Sequence, residues 1–301
     1  MSERDGVLCG RKCELELEIE STVPVGNFAV RQALYAGRIF LLPPTAASLR
    51  LAEEALALLE REFGAGCPIR RAQFRLTDEE FFHAVGRLRK VLYEEPRFYH
   101  AMAEVAQDWG FVQEENAFDP LRLRVSKHAG KENLRAAPLY STHRDTWYAH
   151  PQCQISWWIP LHDVEAEETF VFFPEYFARA VPNDSGAFDY DHWEQDRRGL
   201  RIGWQDPEAG RQALYPACTT DLEGARQLPF ACRKGEVLLF SGAHLHRTLG
   251  HRAGRTRFSC DFRTVHLGDL RAGVGAPNSD NRSRGSALPQ YFLPQEPALH
   301  A

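Results

Sequence analysis

The order of apolar and polar positions divides the chain near residue 120. Before that point the periodicity is mostly helical, and beyond it the pattern is mostly that of strands. Two short apolar runs come first, Cys13–Ile19 and Ala33–Leu42, and both read as strands. From Thr45 to Phe63 apolar residues recur at helical spacing and stop at Gly64, which predicts a helix. Thr77, followed by Asp78, Glu79 and Glu80, is an N-cap with acids in the first turn, and it opens a helix running to about Tyr93. Pro96 suits the first turn of a third helix ending near Gly110.

After Pro120 the texture changes. Leu121–Ser126 alternates apolar and polar residues, so Arg122, Arg124 and Ser126 share one face of a strand. Cys153–Leu161 (CQISWWIPL), Thr169–Pro174, Glu236–Ser241 and Arg257–Val265 add further strands rich in aromatic and β-branched residues. Short strands with no helices between them predict an antiparallel barrel or sandwich. A polar insertion over 178–232, punctuated by Gly and Pro, reads as a lid or binding loop. From Gly275 the tail reads as loop, in part disordered. The chain is thus read as one domain over 1–301: N-terminal strands and helices to about 120, a mainly β core over about 121–270, and a tail over 275–301.

Composition narrows the function classes. Hydrophobic residues make up 44% and charged residues 26% of 301, enough for a sizeable core. A net charge of −5 argues against nucleic acid as a partner. The longest apolar runs, such as Val237–Phe240, fall far short of the roughly 20 residues a membrane-spanning helix needs. The charged N-terminus lacks the apolar core of a secretory signal. Seven scattered cysteines suggest neither a disulfide framework nor a zinc motif, and a reducing cytoplasm is the expected setting.

The sharpest chemical feature is His143-Arg144-Asp145. In an extended segment residues two apart point the same way, so an imidazole and a carboxylate stand side by side. A third metal ligand must come from elsewhere. His246, just after the strand EVLLFS, is the candidate, and His244 two residues earlier is its rival. Two histidines and one carboxylate on one face of an octahedron leave three positions open, as at an Fe(II) centre that binds a bidentate co-substrate and O2. Eleven residues beyond His246, Arg257 and Ser259 share a strand face. A guanidinium grips a carboxylate through paired charge-assisted hydrogen bonds, and a hydroxyl can add another. Arg255 competes with Arg257 but has no serine two residues on.

The pieces SKHAG…YSTHRDTWY, TFVFFPEYF and KGEVLLFSGAHLHRTLGHRAGRTRFSCDFR resemble the Fe(II)/2-oxoglutarate dioxygenases, and within them the phytanoyl-CoA dioxygenase-like branch. The resemblance covers about Leu121 to Val265. It implies a double-stranded β-helix, a cupin-like jelly roll. It also implies His143, Asp145 and His246 as Fe(II) ligands, Arg257 with Ser259 as the clamp for 2-oxoglutarate, and O2 as co-substrate. The chain departs from the branch at Pro174-Glu175-Tyr176-Phe177, where many members carry Pro-Gly-Ser-His. Asp145, where related halogenases have a small residue, implies hydroxylation, desaturation or cyclisation and not chlorination.

Further pocket candidates follow from position. Gln154 is a candidate contact to the oxo-acid; Trp158 on the same strand face, Trp147 and Tyr148 after the metal motif, and Arg122 and Arg124 are candidate substrate contacts. Lys127 and Tyr140 lie near the site in sequence. Asp261 and Arg263 continue the Arg257 face and are expected to pair with each other. A small carboxylate or amino-acid-like substrate is the expectation. The rival readings are a cupin-like metal enzyme that does not use 2-oxoglutarate and a non-catalytic binding barrel.

Overall fold

The computed structural model describes residues 18–64, 66, 68–133, 136, 139–197 and 215–293. In chain order the main elements are β1 (Ile19–Glu20), α1 (Asn27–Tyr35), β2 (Ile39–Leu42), α2 (Ala46–Phe63), α3 (Asp78–Glu94), α4 (Pro96–Gln107), β3 (Asn116–Phe118), β4 (Arg122–Ser126), β5 (Gln154–Pro160), β6 (Phe170–Phe172), α5 (Tyr190–Arg197), β7 (Val237–Ser241), β8 (His246–Thr248), β9 (Arg257–His266) and α6 (Leu267–Ala272).

Seven strands form one sheet in the order β1-β2-β7-β5-β9-β3, with β4 also on β9, and every pairing is antiparallel except β1 with β2. Strands β3 and β4 share one edge of β9, broken between them at Asp119-Pro120. A two-stranded sheet, β6-β8, stands apart.

The two-residue period of the strands decides what lies on each side of the large sheet. Ile155, Trp157 and Ile159 of β5, Val237 and Leu239 of β7, and Phe258, Cys260 and Phe262 of β9 join the core built by α1 to α4. The intervening Trp158, Leu238 and Phe240 pack instead against Phe170 and Phe172 of the small sheet and against Phe230. The large sheet is therefore a middle layer, with helices on one face and the small sheet on the other. The polar members of that second face, Gln154 and Ser156 of β5 and Arg257, Ser259, Asp261 and Arg263 of β9, are carried with it.

The predicted helices form with the expected starts. Thr45 caps α2 in a capping box with Ser48, and Thr77 caps α3 in one with Glu80. Two expectations are corrected. Ala33–Leu42 is not one strand: Val30, Ala33 and Leu34 are buried at helical spacing within α1, Gly37 (φ 96) ends the helical path, and only Ile39–Leu42 is extended. The ring of Phe177 occupies the space a Cβ at Gly37 would fill, at 2.7 Å. Residues 13–17 of the other expected early strand, and the middle of the 178–232 insertion, lie outside the described residues.

The tail over 275–293 is also not disordered. Phe292 bridges to Phe118 through hydrogen bonds of 2.8 Å in both directions, and its ring lies 4.3 Å from that of Tyr99. The Phe292 ring is buried in the main core and anchors this segment. Phe292→Ala is expected to lower unfolding stability by about 3 kcal/mol in denaturant titration. A change near zero would mean that the tail merely rests on the core.

Candidate metal centre

His143 and His246 meet because their backbones form a two-way bridge: the His143 N–H donates to the His246 carbonyl at 3.0 Å, and the reverse bond is 2.9 Å. Their ring centroids lie 4.4 Å apart. Asp145 opens a 3-10 turn over Asp145–Tyr148 and sends its Oδ1 to 3.9 Å from His143 Nε2. One ligand atom from each of His143, Asp145 and His246 lies within 4.8 Å of the others, and among the described residues this is the group with metal-binding geometry.

The protonation pattern suits a metal. His143 Nδ1 lies 2.9 Å from the Ser141 carbonyl, and His246 Nδ1 lies 3.0 Å from that of His244. A carbonyl only accepts, so each Nδ1 carries the proton and each Nε2 keeps its lone pair. Burial holds His143 neutral, with a pKa of about 3, and lowers His246 in the same way. Burial works against ionising Asp145, but the Arg263 guanidinium outweighs it and keeps the carboxyl well below its usual pKa. Its Oδ2 accepts from Ser156 Oγ at 2.8 Å and lies 3.4 Å from Arg263 Nε, which leaves Oδ1 to face the two imidazoles. Two neutral nitrogens and one ionised oxygen on one side are the donor set of a facial non-haem Fe(II) site.

The rival histidine lies elsewhere. His244 is fully buried among Phe172, Phe177 and Phe240 and does not reach the cavity.

A cavity of about 260 Å³ opens on the three ligands. Arg257 lines it and is 3% exposed. Its Nη1 donates to Ser259 Oγ at 2.7 Å, its Nε donates to the Glu168 carbonyl at 3.0 Å, and its guanidinium lies over Trp158. No carboxylate among the described residues pairs with it. Burial outweighs the raising effect of the more distant Asp261 and Glu168 and lowers its pKa to about 10. Arg255, by contrast, is spent on Glu168 in a bidentate pair at 2.7 and 2.8 Å. Of the other expected residues, Arg122, Arg124, Tyr140, Tyr148 and Trp158 line the cavity.

Four expectations need correction. Trp147 is fully buried on the far side of its turn, among Val171, Phe173, Val181 and Leu245, with its indole N–H on Asp280 at 2.8 Å. With three residues per 3-10 turn, Asp145 and Tyr148 share a side and Trp147 cannot join them. Gln154 backs the carboxylate and does not line the cavity; its amide donates to Ser156 at 2.7 Å. Asp261 and Arg263 do not pair with each other, because β4 and the break before it offer each its own partner. Arg124 takes Asp261 in a bidentate pair at 2.8 and 2.9 Å, and Arg263 takes Asp119 at 2.9 Å. Lys127 leaves the site to pair with Asp78.

Sequence reasoning passed over four contributors. Ser156 shares the strand face of Gln154 and Trp158, so its position was readable but its role was not. Asp119 and His150 are placed by the break before β4 and by a hydrogen bond to Tyr291 at 2.9 Å. Asp280 gave no sequence signal. It binds Arg144, the residue between two ligands, at 3.0 Å, as well as the Trp147 indole and the Val181 N–H.

No family model matches the chain, and no curated protein matches it. Solved structures similar to it include non-haem iron enzymes. The epimerase SnoN, in complex with Fe3+, alpha ketoglutarate and nogalamycin RO, is 15% identical, with 85% of this chain and 98% of that chain covered and a TM-score of 0.41. EvdO2 from Micromonospora carbonacea var. aurantiaca, complexed with 2-oxoglutarate, is 14% identical over 83% and 94%, with a TM-score of 0.45. EctD from S. alaskensis, with 2-oxoglutarate and 5-hydroxyectoine, is 14% identical over 90% and 92%, with a TM-score of 0.42. At such identities and superpositions the likeness decides neither fold nor chemistry for this chain.

Removing one partner of the buried Arg144–Asp280 pair leaves an uncompensated charge. Asp280→Asn is therefore expected to cost about 3 kcal/mol in unfolding and to weaken Fe(II) binding, measured by anaerobic titration. Unchanged iron affinity in a folded variant would show that the tail does not position the ligand loop.

Acid sensitivity follows from the buried neutral histidines. His244 is held down to about 3 and His162 to about 4, chiefly by burial, and His162 Nε2 accepts the Phe258 N–H at 2.9 Å. Each is neutral in the fold and titrates near 6.5 when unfolded. Their contribution is therefore whole above pH 6.5 and is lost as pH falls towards 4 and 3. Unfolding experiments on the metal-free protein should show stability falling below pH 6.5 by up to ~1.4 kcal/mol per pH unit for each such ring. A flat profile from pH 7 to 5 would mean the rings are charged in the fold.

Proposed function

We propose that this chain is a non-haem Fe(II) oxygenase that couples decarboxylation of 2-oxoglutarate to oxidation of a C–H bond in a small molecule, by hydroxylation or desaturation. The ligands are His143, Asp145 and His246. Arg257, steadied by Ser259, holds the distal carboxylate of 2-oxoglutarate. One observation carries the reading: a facial set of two nitrogens and an oxygen shares a cavity with a buried guanidinium that has no carboxylate partner among the described residues. An unpaired buried cation is costly, and a dicarboxylate anchored at the metal end supplies the missing charge. The layered arrangement, with the site between the large and small sheets, suits a double-stranded β-helix spanning a single domain.

Fe(II) with 2-oxoglutarate and O2 would supply the oxidising power. The chain's own residues set the geometry. The Ser141 and His244 carbonyls fix both imidazole tautomers, and Ser156 with Arg263 occupies the second oxygen of Asp145 so that the first points inward. Phe170, Phe240 and Trp158 wall the same space with apolar surface and limit water at the centre. Ser259 acts through Arg257. It accepts one guanidinium N–H and so fixes the direction of the others.

Anaerobic addition of 2-oxoglutarate to the Fe(II)-loaded protein should produce a weak visible charge-transfer band. Arg257→Ala should raise the 2-oxoglutarate needed by about tenfold or more, the size expected for a hydrogen bond to a charged group. Absence of the band in iron-loaded wild type would remove 2-oxoglutarate from the account and favour a cupin-like metal enzyme.

A further inference from the structure

The charges around the cavity do not balance. Arg122, Arg124, Arg257 and Arg263 line it, with Asp145 and Asp261, and Asp119 lies behind, shared by Arg122 and Arg263. The step taken here rests on the oxygenase reading: Asp145 then serves the metal, and Arg257 serves the co-substrate. Three arginines, Arg122, Arg124 and Arg263, remain against two carboxylates, Asp119 and Asp261. Among the described residues one positive charge is left over, on half-buried arginines at a cavity wall, where an anion finds both a counter-charge and partial shelter from solvent. Arg89 lines the same region, close enough to Arg124 to feel its charge, and is left out of this count.

The neighbouring wall is aromatic. Tyr148 stands edge-on to the His143 ring, with centroids 5.6 Å apart, and packs against Phe188 at 5.7 Å. Trp193 joins Phe188 at 6.3 Å and Tyr190 at 5.7 Å. Gln290 ties this wall to the arginines, since its side chain accepts from Arg122 Nη2 at 2.7 Å and donates to the Tyr190 hydroxyl. A positive corner and an aromatic wall meet beside the ligands.

We propose that the substrate is a small carboxylic acid with a flat, apolar body, its carboxylate seated at Arg122 and Arg124 and its body laid along Tyr148, Tyr190 and Trp193. The seat differs from that of the co-substrate. Arg124 is already held rigid by Asp261, so it offers direction and residual charge, while Arg257 offers an unpaired cation. A ring stacked beside Tyr148 lies next to His143, so its C–H bonds face the metal side of the cavity.

The test uses the anaerobic protein loaded with Fe(II) and 2-oxoglutarate. It is titrated with benzoate, phenylacetate and cinnamate, with the methyl ester of each, and with phenyl phosphate, following the visible band and tryptophan fluorescence. At least one acid should bind saturably and at least tenfold more tightly than its ester. Arg122→Gln should weaken that acid about tenfold without moving the 2-oxoglutarate midpoint, and Asp261→Asn, which removes a negative charge, should tighten it. Esters that bind as well as acids, no saturable binding by any acid, or an Arg122→Gln variant with unchanged acid affinity would each overturn the assignment. Tighter binding of phenyl phosphate than of every acid would overturn the carboxylate class. The acid–ester comparison needs only wild type, so it stands even where a variant fails to fold. The band formed before any acid is added scores the oxygenase reading separately, so the two ideas fail with different signatures.

Discussion

Strand β9 carries a row of charges through the middle of the protein, and the rest of the site is arranged to make that tolerable. Arg257, Ser259, Asp261 and Arg263 alternate with Phe258, Cys260 and Phe262, so one face is committed to the helical core and the other must find polar partners. The antiparallel register supplies them. Arg124 and Arg122 of β4 lie opposite Ser259 and Asp261, and Ser156 of β5 lies opposite Arg263. A slip of one residue on β9 would push four polar side chains into the helices, which is why this register is so strongly specified.

Ligand placement depends on a second constraint that runs through the tail. Arg144 stands between two proposed ligands yet points away from them, donating to the Tyr176 carbonyl at 2.6 Å, the Arg179 carbonyl at 2.9 Å and Asp280. The H-x-D segment is thereby fixed from behind, by the 176–179 turn and by residues more than a hundred positions later. The sequence departure at Pro174–Phe177 lies at this same turn, and the geometry gives it a structural use. Its backbone carbonyls take the arginine, and the Phe177 ring closes over Gly37.

How much could be read beforehand follows from the range of the interactions. Capping boxes and strand alternation are local, so α2, α3, β4, β5, β7 and β9 were legible nearly to the residue. His143 and Asp145 were legible as a pair because short spacing on an extended chain fixes direction, whereas His246 was chosen over His244 by its place after EVLLFS and by the family resemblance; the structure brings the three together. Trp147 was not, since the chain leaves the extended state at Asp145 and a 3-10 turn reverses the side that a tryptophan two residues on would face. Asp261 and Arg263 misled for a related reason. Arg124 reaches Asp261 on the diagonal of the β4–β9 register and Arg263 reaches Asp119 in the break before β4, so the partners are set by which segments lie beside β9, which local spacing does not reveal. Asp280 and Phe292 depend wholly on long-range packing, which no local pattern in the tail announces.

The arginines illustrate how pairing state assigns work within one cavity. A guanidinium already held by two parallel bonds to a carboxylate, as Arg124 is by Asp261, has surrendered most of its freedom and much of its field. It is suited to shaping a wall and biasing what charge may enter. Among the described residues Arg257 is oriented by neutral acceptors, a carbonyl and a hydroxyl, which fix its direction without pairing its charge. A ligand carboxylate gains most where the counter-charge is missing and the donor is already aimed, because little ordering entropy remains to be lost. On the proposed reading, then, Arg257 suits an anion that must bind, be consumed and be replaced each cycle, and the paired arginines would bias which second molecule is admitted beside it.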